Sequence, residues 1–235
     1  MGKINLKLKE CRKFHYFNEE NFIFKNGERL IEEKIELLLN DIKLGLSLDK
    51  NFYCSSKKVN KLEISAIGNL DKLSNKYDAL FSNFSIQIDL INNPNQICKS
   101  IYNILNENSF LCINLLTNNS MTIIRNIFYE IDEKIFGGSF ERFGPFVEVP
   151  SIVNELNQNQ FKEIVVTIDR IEANYDSFAK LRSDFKSFGI ANFYDFKIPF
   201  KKDFFIYAQK VFNKLIENHK YIPLDLEIAT FTAWK

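Results

Sequence analysis

The stretch from Tyr77 to Leu116 sets the terms for the whole chain. Residues 77–84 are a short, mostly apolar run closing on Ser and Asn, which reads as a buried strand. From Asn95 to Leu105, the apolar residues Ile97, Ile101, Ile104 and Leu105 recur at helical spacing, and Pro94 stands just ahead, where a helix start tolerates proline. Asn106-Glu-Asn-Ser109 then turns the chain into a second apolar run, Phe110–Leu116. Strand, helix and strand in succession make a βαβ unit, and the right-handed crossover rule sets the two strands parallel. The chain therefore reads as α/β, with everything else packed around this sheet.

At 235 residues the expected size is one domain, or one domain with a small appendage. Hydrophobic residues make up 46% of it, with 24 Phe, so the chain can bury a substantial core and disorder is excluded. A formal net charge of +1 argues against a nucleic-acid surface. Cys11, Cys54, Cys98 and Cys112 are scattered without a CxxC pair, and Cys98 and Cys112 fall inside the expected helix and strand as small buried hydrophobes. With only His15 and His219 as imidazoles, the ligand supply for a metal site is poor, and none is expected. The opening MGKINLKLKE has no apolar core of a signal peptide, and no window approaches the ~20 apolar residues of a membrane span, so a reducing cytoplasm is the expected compartment.

Taken in order, His15, Tyr16 and Phe17 form an aromatic cluster that either caps a pocket or joins the core. A helix is expected over residues 28–42, with Ile31, Ile35, Leu38, Leu39 and Ile42 on one face, followed by a strand at Leu44–Leu48. "NKLEISAIGNL" supplies one further strand. Beyond Leu116 come a helix over 120–136 ended by Gly137-Gly138, a helix over 150–158 and a β-branched strand at Glu163–Ile168. An amphipathic helix over 203–217, a turn at Pro223 and an alternating strand at Leu226–Trp234 complete the chain.

Several of these segments carry a resemblance. "YDALFSNFSIQI" resembles the fourth strand and following loop of class I S-adenosylmethionine (SAM) dependent methyltransferases. The branch it most resembles holds the malonyl-carrier-protein methyltransferase of biotin synthesis (BioC) and the methyltransferase-like assembly factor of respiratory complex I. Tyr77, Asp78, Ser82, Asn83, Ser85 and Gln87 match that branch's pattern, and Ile88 stands where it has Trp. "RFGPFVEVPSIVNELNQNQF" is similar to the family's loop and helix before the sixth strand. "DRIEANYDSFAKLRSDFKSFGIAN" resembles the complex I factor through Asp169, Tyr175, Leu181 and Gly189-Ile-Ala-Asn192, and Ala233-Trp234-Lys235 is similar to the closing Gly-Trp-Lys. The resemblance implies one methyltransferase-like domain over 1–235, with an N-terminal helical region at 1–43 and a sheet core at 44–235. The sheet would be Rossmann-like, mostly parallel with an antiparallel terminal strand.

The resemblance breaks on the cofactor side. The family's first strand ends in an acidic residue and a Gly-x-Gly turn, whose missing side chains let the backbone approach the cofactor. Here the matching residues are Ser47 and then Asp49-Lys50-Asn51, with no glycine between Gly45 and Gly68. Only 28 residues separate Leu48 from Tyr77, where a complete fold places two strands and their helices. One strand-helix unit is expected to be absent, together with the acidic residue that would hold the ribose hydroxyls; Glu63 lies within the candidate strand rather than after it.

The resemblance implies that Ser47, Asp49, Asn51, Ser82, Asn83, Ser85 and Gln87 are vestigial cofactor-facing positions. Ser82, Asn83, Ser85 and Gln87 read equally well as polar caps of strand ends. Tyr175 and Asn192 are candidates for a substrate or partner cleft, Asn192 also suiting a turn. No residue stands out as catalytic, and neither histidine has a neighbour in sequence to orient it. Two functions remain open: a degenerate, non-methylating binding or assembly protein, its partner by resemblance a respiratory complex I subunit; or an active carboxyl O-methyltransferase like BioC or a hydroxylase-type relative, with SAM held in an altered way and an acyl carrier protein as partner. The shortened side could also form a homodimer interface, because a sheet lacking a covering helix exposes apolar edge.

Overall fold

A computed structural model describes residues 21–50, 52–188 and 202–235. The expectations placed on His15, Tyr16, Phe17, Asn51, Gly189 and Asn192 lie outside the described residues.

The two apolar runs of the βαβ unit form the middle of a six-stranded sheet. Its strands are β1 (Gly45–Ser47), β2 (Leu62–Ile64), β3 (Tyr77–Asn83), β4 (Leu105–Leu116), β5 (Lys162–Tyr175) and β6 (Ile222–Trp234). They lie in the order β2-β1-β3-β4-β6-β5. β1, β2, β3 and β4 are parallel, and β6 runs antiparallel to β4 from Phe110↔Trp234 to Leu116↔Ile228. This is the mostly parallel sheet with an antiparallel terminal strand that the sequence implied. The helices are α1 (Phe22–Glu36), α2 (Gln87–Asn92), α3 (Pro94–Ile104), α4 (Thr122–Phe136), α5 (Val149–Gln158), α6 (Phe178–Phe188) and α7 (Lys202–His219).

The chain divides into two compact units. Phe22–Asn118, Phe146–Asp169 and Glu227–Lys235 make the sheet unit, with α1, α2, α3 and α5. On one face of its sheet, Leu46, Leu80, Leu111, Ile113 and Phe231 pack with Ile101 and Ile104 of α3 and Ile152 and Leu156 of α5. On the other, Ala79, Phe81, Phe110 and Cys112 meet Ile31 and Ile35 of α1. Cys98 and Cys112 are buried as expected; burial pushes the Cys98 thiol up to about 12 and Cys112 higher still.

The other unit contains Asn119–Pro145 and Arg170–Leu226. Its centre is the Phe128 ring, between 5.0 and 6.3 Å from those of Phe143, Phe178, Phe204 and Phe212. Asp132 accepts a bidentate pair from Arg142, Nε to Oδ2 at 2.8 Å and Nη2 to Oδ1 at 2.5 Å, and the guanidinium lies 4.1 Å over the Phe204 ring. Such a planar fork suits burial better than an ammonium would.

Four elements differ from the sequence reading. α1 starts at Phe22 rather than 28 and ends at Glu36 rather than 42. Ile42 instead bridges Val59, and Leu39 is fully exposed at 99%. β4 begins at Leu105, which already pairs with Tyr77; Asn106–Ser109 is a bulge inside the strand, with Asn108 at φ 59°, a conformation that Asn tolerates. Pro223 lies inside β6, next to its first residue, where a strand admits proline. β5 continues past Ile168 to Tyr175.

The shortened side is closed by a strap. No helix joins β1 to β2 among the described residues, and only a 3-10 turn (Ile67–Lys72) joins β2 to β3. Residues 53–58 lie instead along α1. Glu28, Glu32 and Glu36 recur every four residues on one helix face. Glu28 Oε1 accepts from Tyr53 N–H at 3.3 Å, Glu32 Oε1 from the Ser55 hydroxyl at 2.8 Å, and Glu36 Oε1 from the Ser56 hydroxyl at 2.5 Å. Lys58 Nζ donates to the carbonyls of Glu36 and Leu38, a cation on the negative end of the helix.

Candidate functional site

α/β sheets bind ligands beyond the carboxyl ends of their parallel strands. Here those ends carry a row of polar side chains in register. Ser47 of β1 is level with Phe81 of β3, so Asp49, two residues on, comes level with Asn83. Asn83 pairs with Asn114 of β4, and Asn114 pairs with Thr230 of β6. The row Asp49–Asn83–Asn114–Thr230 thus crosses four neighbouring strands.

A buried amide needs partners, and these find them in one another and in α1. The Thr230 hydroxyl donates to Asn114 Oδ1 at 2.7 Å. Asn114 Nδ2 donates to Asn83 Oδ1 at 3.1 Å and to the Gly27 carbonyl at 2.7 Å. Asn83 Nδ2 donates to the Phe24 carbonyl at 2.9 Å. The first turns of α1 therefore rest directly on the carboxyl edge of β3 and β4. Gly27 makes this approach possible: a Cβ there would fall on Asn83 Oδ1 and press on the Phe84 ring. Phe84 itself is held at φ 72°, a strained conformation for an aromatic residue, with its ring 6.0 Å from that of Phe24.

Asp49 spans the gap between β1 and β3. Its Oδ2 accepts the Asn83 N–H at 2.5 Å, and the carboxyl also accepts from the hydroxyl and N–H of Ser85. With its hydroxyl spent on Asp49, Ser85 takes the Ser82 hydroxyl at 2.9 Å. Burial pushes the Asp49 carboxyl up to about 7; these three donors oppose the shift and the Glu28 carboxylate adds to it. Ser47 closes the turn after β1: its Oγ accepts from Asp49 N–H at 3.1 Å and its hydroxyl lies 3.2 Å from the Asp49 carbonyl. A hydroxyl thus shapes a turn that the resembling family makes with glycines.

Gln87 clamps the end of β4, its Nε2 donating to the Leu116 carbonyl at 3.2 Å and its Oε1 accepting the Leu116 N–H at 2.8 Å. Ser47, Asp49, Ser82, Asn83, Ser85 and Gln87 are thus gathered on one edge, each bonded within the chain. Lys50 is exposed. Glu63 lies inside β2, as expected, and accepts from the Tyr77 hydroxyl at 2.8 Å and from Lys61 at 2.8 Å. Tyr175 falls in the other unit, where its hydroxyl donates to Asp184 Oδ2 at 2.7 Å; burial and then Asp184 push the phenol up. It lines a cavity of about 390 Å³ with Asn174, Asp176, Lys180, Ser183 and Asp184. Among the described residues no cluster of His, Cys, Asp and Glu could hold a metal, and no helix is long and apolar enough to cross a membrane.

Asn114, Thr230 and Gly27 escaped the sequence reading. Asn114 had a signal, being the one strongly polar residue in Phe110–Leu116. Gly27 had a weaker one, since glycine within a helix costs about 1 kcal/mol against alanine and calls for a packing reason.

No protein-family model matches the chain, and no curated protein sequence matches it. Likeness is found among solved structures. A provisionally assigned methyltransferase of Bacillus halodurans C-125 aligns with a TM-score of 0.50 at 7% identity, over 88% of this chain and 97% of that one. The YcgJ protein of Bacillus subtilis aligns with a TM-score of 0.50 at 6% identity, over 90% of this chain and 98% of that one. Haemonchus contortus phosphoethanolamine N-methyltransferase 2, solved with S-adenosyl-L-methionine, reaches 0.46 at 11% identity, over 97% of this chain and 60% of that one. At such identities the likeness is one of fold: the chain has a Rossmann-like methyltransferase fold.

Two outcomes are expected of this edge. Gly27→Ala should destabilise the chain by about 1–3 kcal/mol, the overpacking cost outweighing the gain in helix propensity, read by urea unfolding. Asp49 binds a proton more readily folded than unfolded between pH 3.8 and about 7, so its contribution to stability is full below that window and lost as pH rises through it. Each tenfold change in proton affinity is worth about 1.4 kcal/mol. Discounted because the residue as a whole is partly exposed, the loss across the window is about 3 kcal/mol. Unfolding measured from pH 4 to 8 should show Asp49→Asn flattening that fall; an unchanged slope would contradict the assignment.

Proposed function

We propose that this chain is a methyltransferase-like protein that does not transfer methyl groups and keeps the fold as a binding or assembly module in the cytoplasm. One observation carries the reading: the carboxyl edge of the sheet, where a class I fold would receive its cofactor, is taken up by the chain's own α1 and by the Asp49–Asn83–Asn114–Thr230 row.

The residues present do not suit SAM. The Asp49 carboxyl bridges β1 to β3 in place of a glycine turn that would admit the cofactor's methionine moiety. β2 ends at Ile64, and Glu63 is engaged by Tyr77 and Lys61 inside the strand, so neither offers a carboxylate beyond a strand end for ribose hydroxyls. Methyl transfer depends on holding the donor in line with its acceptor, which is most of the catalysis available to it. Loss of both supports therefore weighs on rate as well as affinity.

The sequence resemblance to the branch of BioC and the complex I assembly factor supports a protein as the partner. A subunit of respiratory complex I fits the non-methylating reading; an acyl carrier protein belongs to the alternative, an active carboxyl O-methyltransferase. Calorimetric titration with SAM and S-adenosylhomocysteine separates them. No heat of binding at millimolar ligand is expected; a dissociation constant near 1 μM, about −8 kcal/mol, would overturn the proposal and restore the enzyme.

A further inference from the structure

β2 ends the sheet on its shortened side, and among the described residues no strand pairs with its outer edge. Which backbone groups face outward follows from those that face β1. Gly45 N–H donates to the Lys61 carbonyl at 2.8 Å, and Ser65 N–H donates to the Ser47 carbonyl at 3.0 Å. In a parallel ladder alternate residues serve the same neighbour, so the N–H and C=O of Leu62 and Ile64 point away from the sheet.

The side chains of this edge complement themselves. Lys61 and Glu63 share one face, Leu62 and Ile64 the other, the latter being the face covered by α1, where Leu62 packs beside Val59. If a second β2 runs antiparallel with Leu62 opposite Leu62, that residue becomes a hydrogen-bonded pair. Lys61 of each copy then stands opposite Glu63 of the other. Opposite charges directly across an antiparallel pair stabilise it and like charges disfavour it. A two-fold repeat of this same segment supplies both ion pairs at once. The edge is also less guarded than sheet edges usually are, with Ile64 of β2 53% exposed.

We propose that β2 is a homodimer interface, in which two copies of the chain pair antiparallel about Leu62 and join their sheets across the shortened side. The second copy supplies the edge that the absent strand-helix unit would have covered.

Sedimentation velocity on the full chain tests this over about 1–100 μM, the range in which an interface of modest size would associate. A concentration-dependent dimer is expected. Lys61→Glu and Glu63→Lys should each weaken it by about tenfold or more, since each sets like charges opposite one another. Mixing the two variants one to one should restore a dimer, because each then meets the charge its own copy lacks; a purely intrachain role for the Lys61–Glu63 bridge could not do so. Glu63 also holds Tyr77, so Ile64→Asp, at an exposed side chain, provides a second disruption that spares the core. A wild-type monomer at about 100 μM overturns the proposal, as does a dimer that persists in all three variants or a mixture that stays monomeric.

Discussion

Three buried polar side chains, two of them bonded to the backbone of one helix, fix the carboxyl edge of this sheet. Asn83 and Asn114 would each be costly in an apolar sheet if left alone. Together, with Thr230 supplying a donor and the carbonyls of Phe24 and Gly27 accepting, they are satisfied. The arrangement tolerates little change, because each amide's bond depends on the next, and a half-satisfied network of this kind is worse than none. It holds α1 in place, and α1 in turn presents Glu28, Glu32 and Glu36 to the strap. Edge and strap are two ends of one helix-centred construction.

That construction bears on chemistry as much as on stability. A ligand-binding edge of an α/β sheet keeps its polar groups in reserve for the ligand. Here Asp49, Asn83, Ser85 and Gln87 are bonded to their own chain, and a carboxyl held near neutrality by burial stands beside the strand end. The fold of a methyltransferase and the groups left available to a ligand at its sheet edge are separable properties, and the likeness to solved structures shows the fold.

Much of this was legible in the sequence where local pattern and tertiary role agree. The βαβ unit, the buried cysteines, the Gly137 cap at φ 71° and the long amphipathic α7 all follow from periodicity or turn chemistry. The missing strand-helix unit was readable by counting residues between Leu48 and Tyr77. What escaped depended on distant partners. Leu39 continued a helical stripe on paper, yet α1 stops at Glu36, where Lys58 covers its last carbonyls. Asn106–Ser109 looked like a turn because Asn favours turns, yet β3 extends far enough for Tyr77 to pair with Leu105. Ser47, Asp49, Asn83 and Gln87, singled out in the sequence, lie together along this edge, but the bonds that hold it depend on Gly27 and Thr230, separated from Asn83 by 56 and 147 positions in the chain.

Amide hydrogen exchange along Phe24–Ile31 and Asn83–Gln87, with and without saturating S-adenosylhomocysteine, bears most directly on whether the chain closes its own carboxyl edge. Strong protection of both segments in the free protein, unchanged by the ligand, is the expected result. Rapid exchange in the free protein that slows when ligand is added would mean that the edge is open and waiting for a cofactor, and would contradict the closed edge.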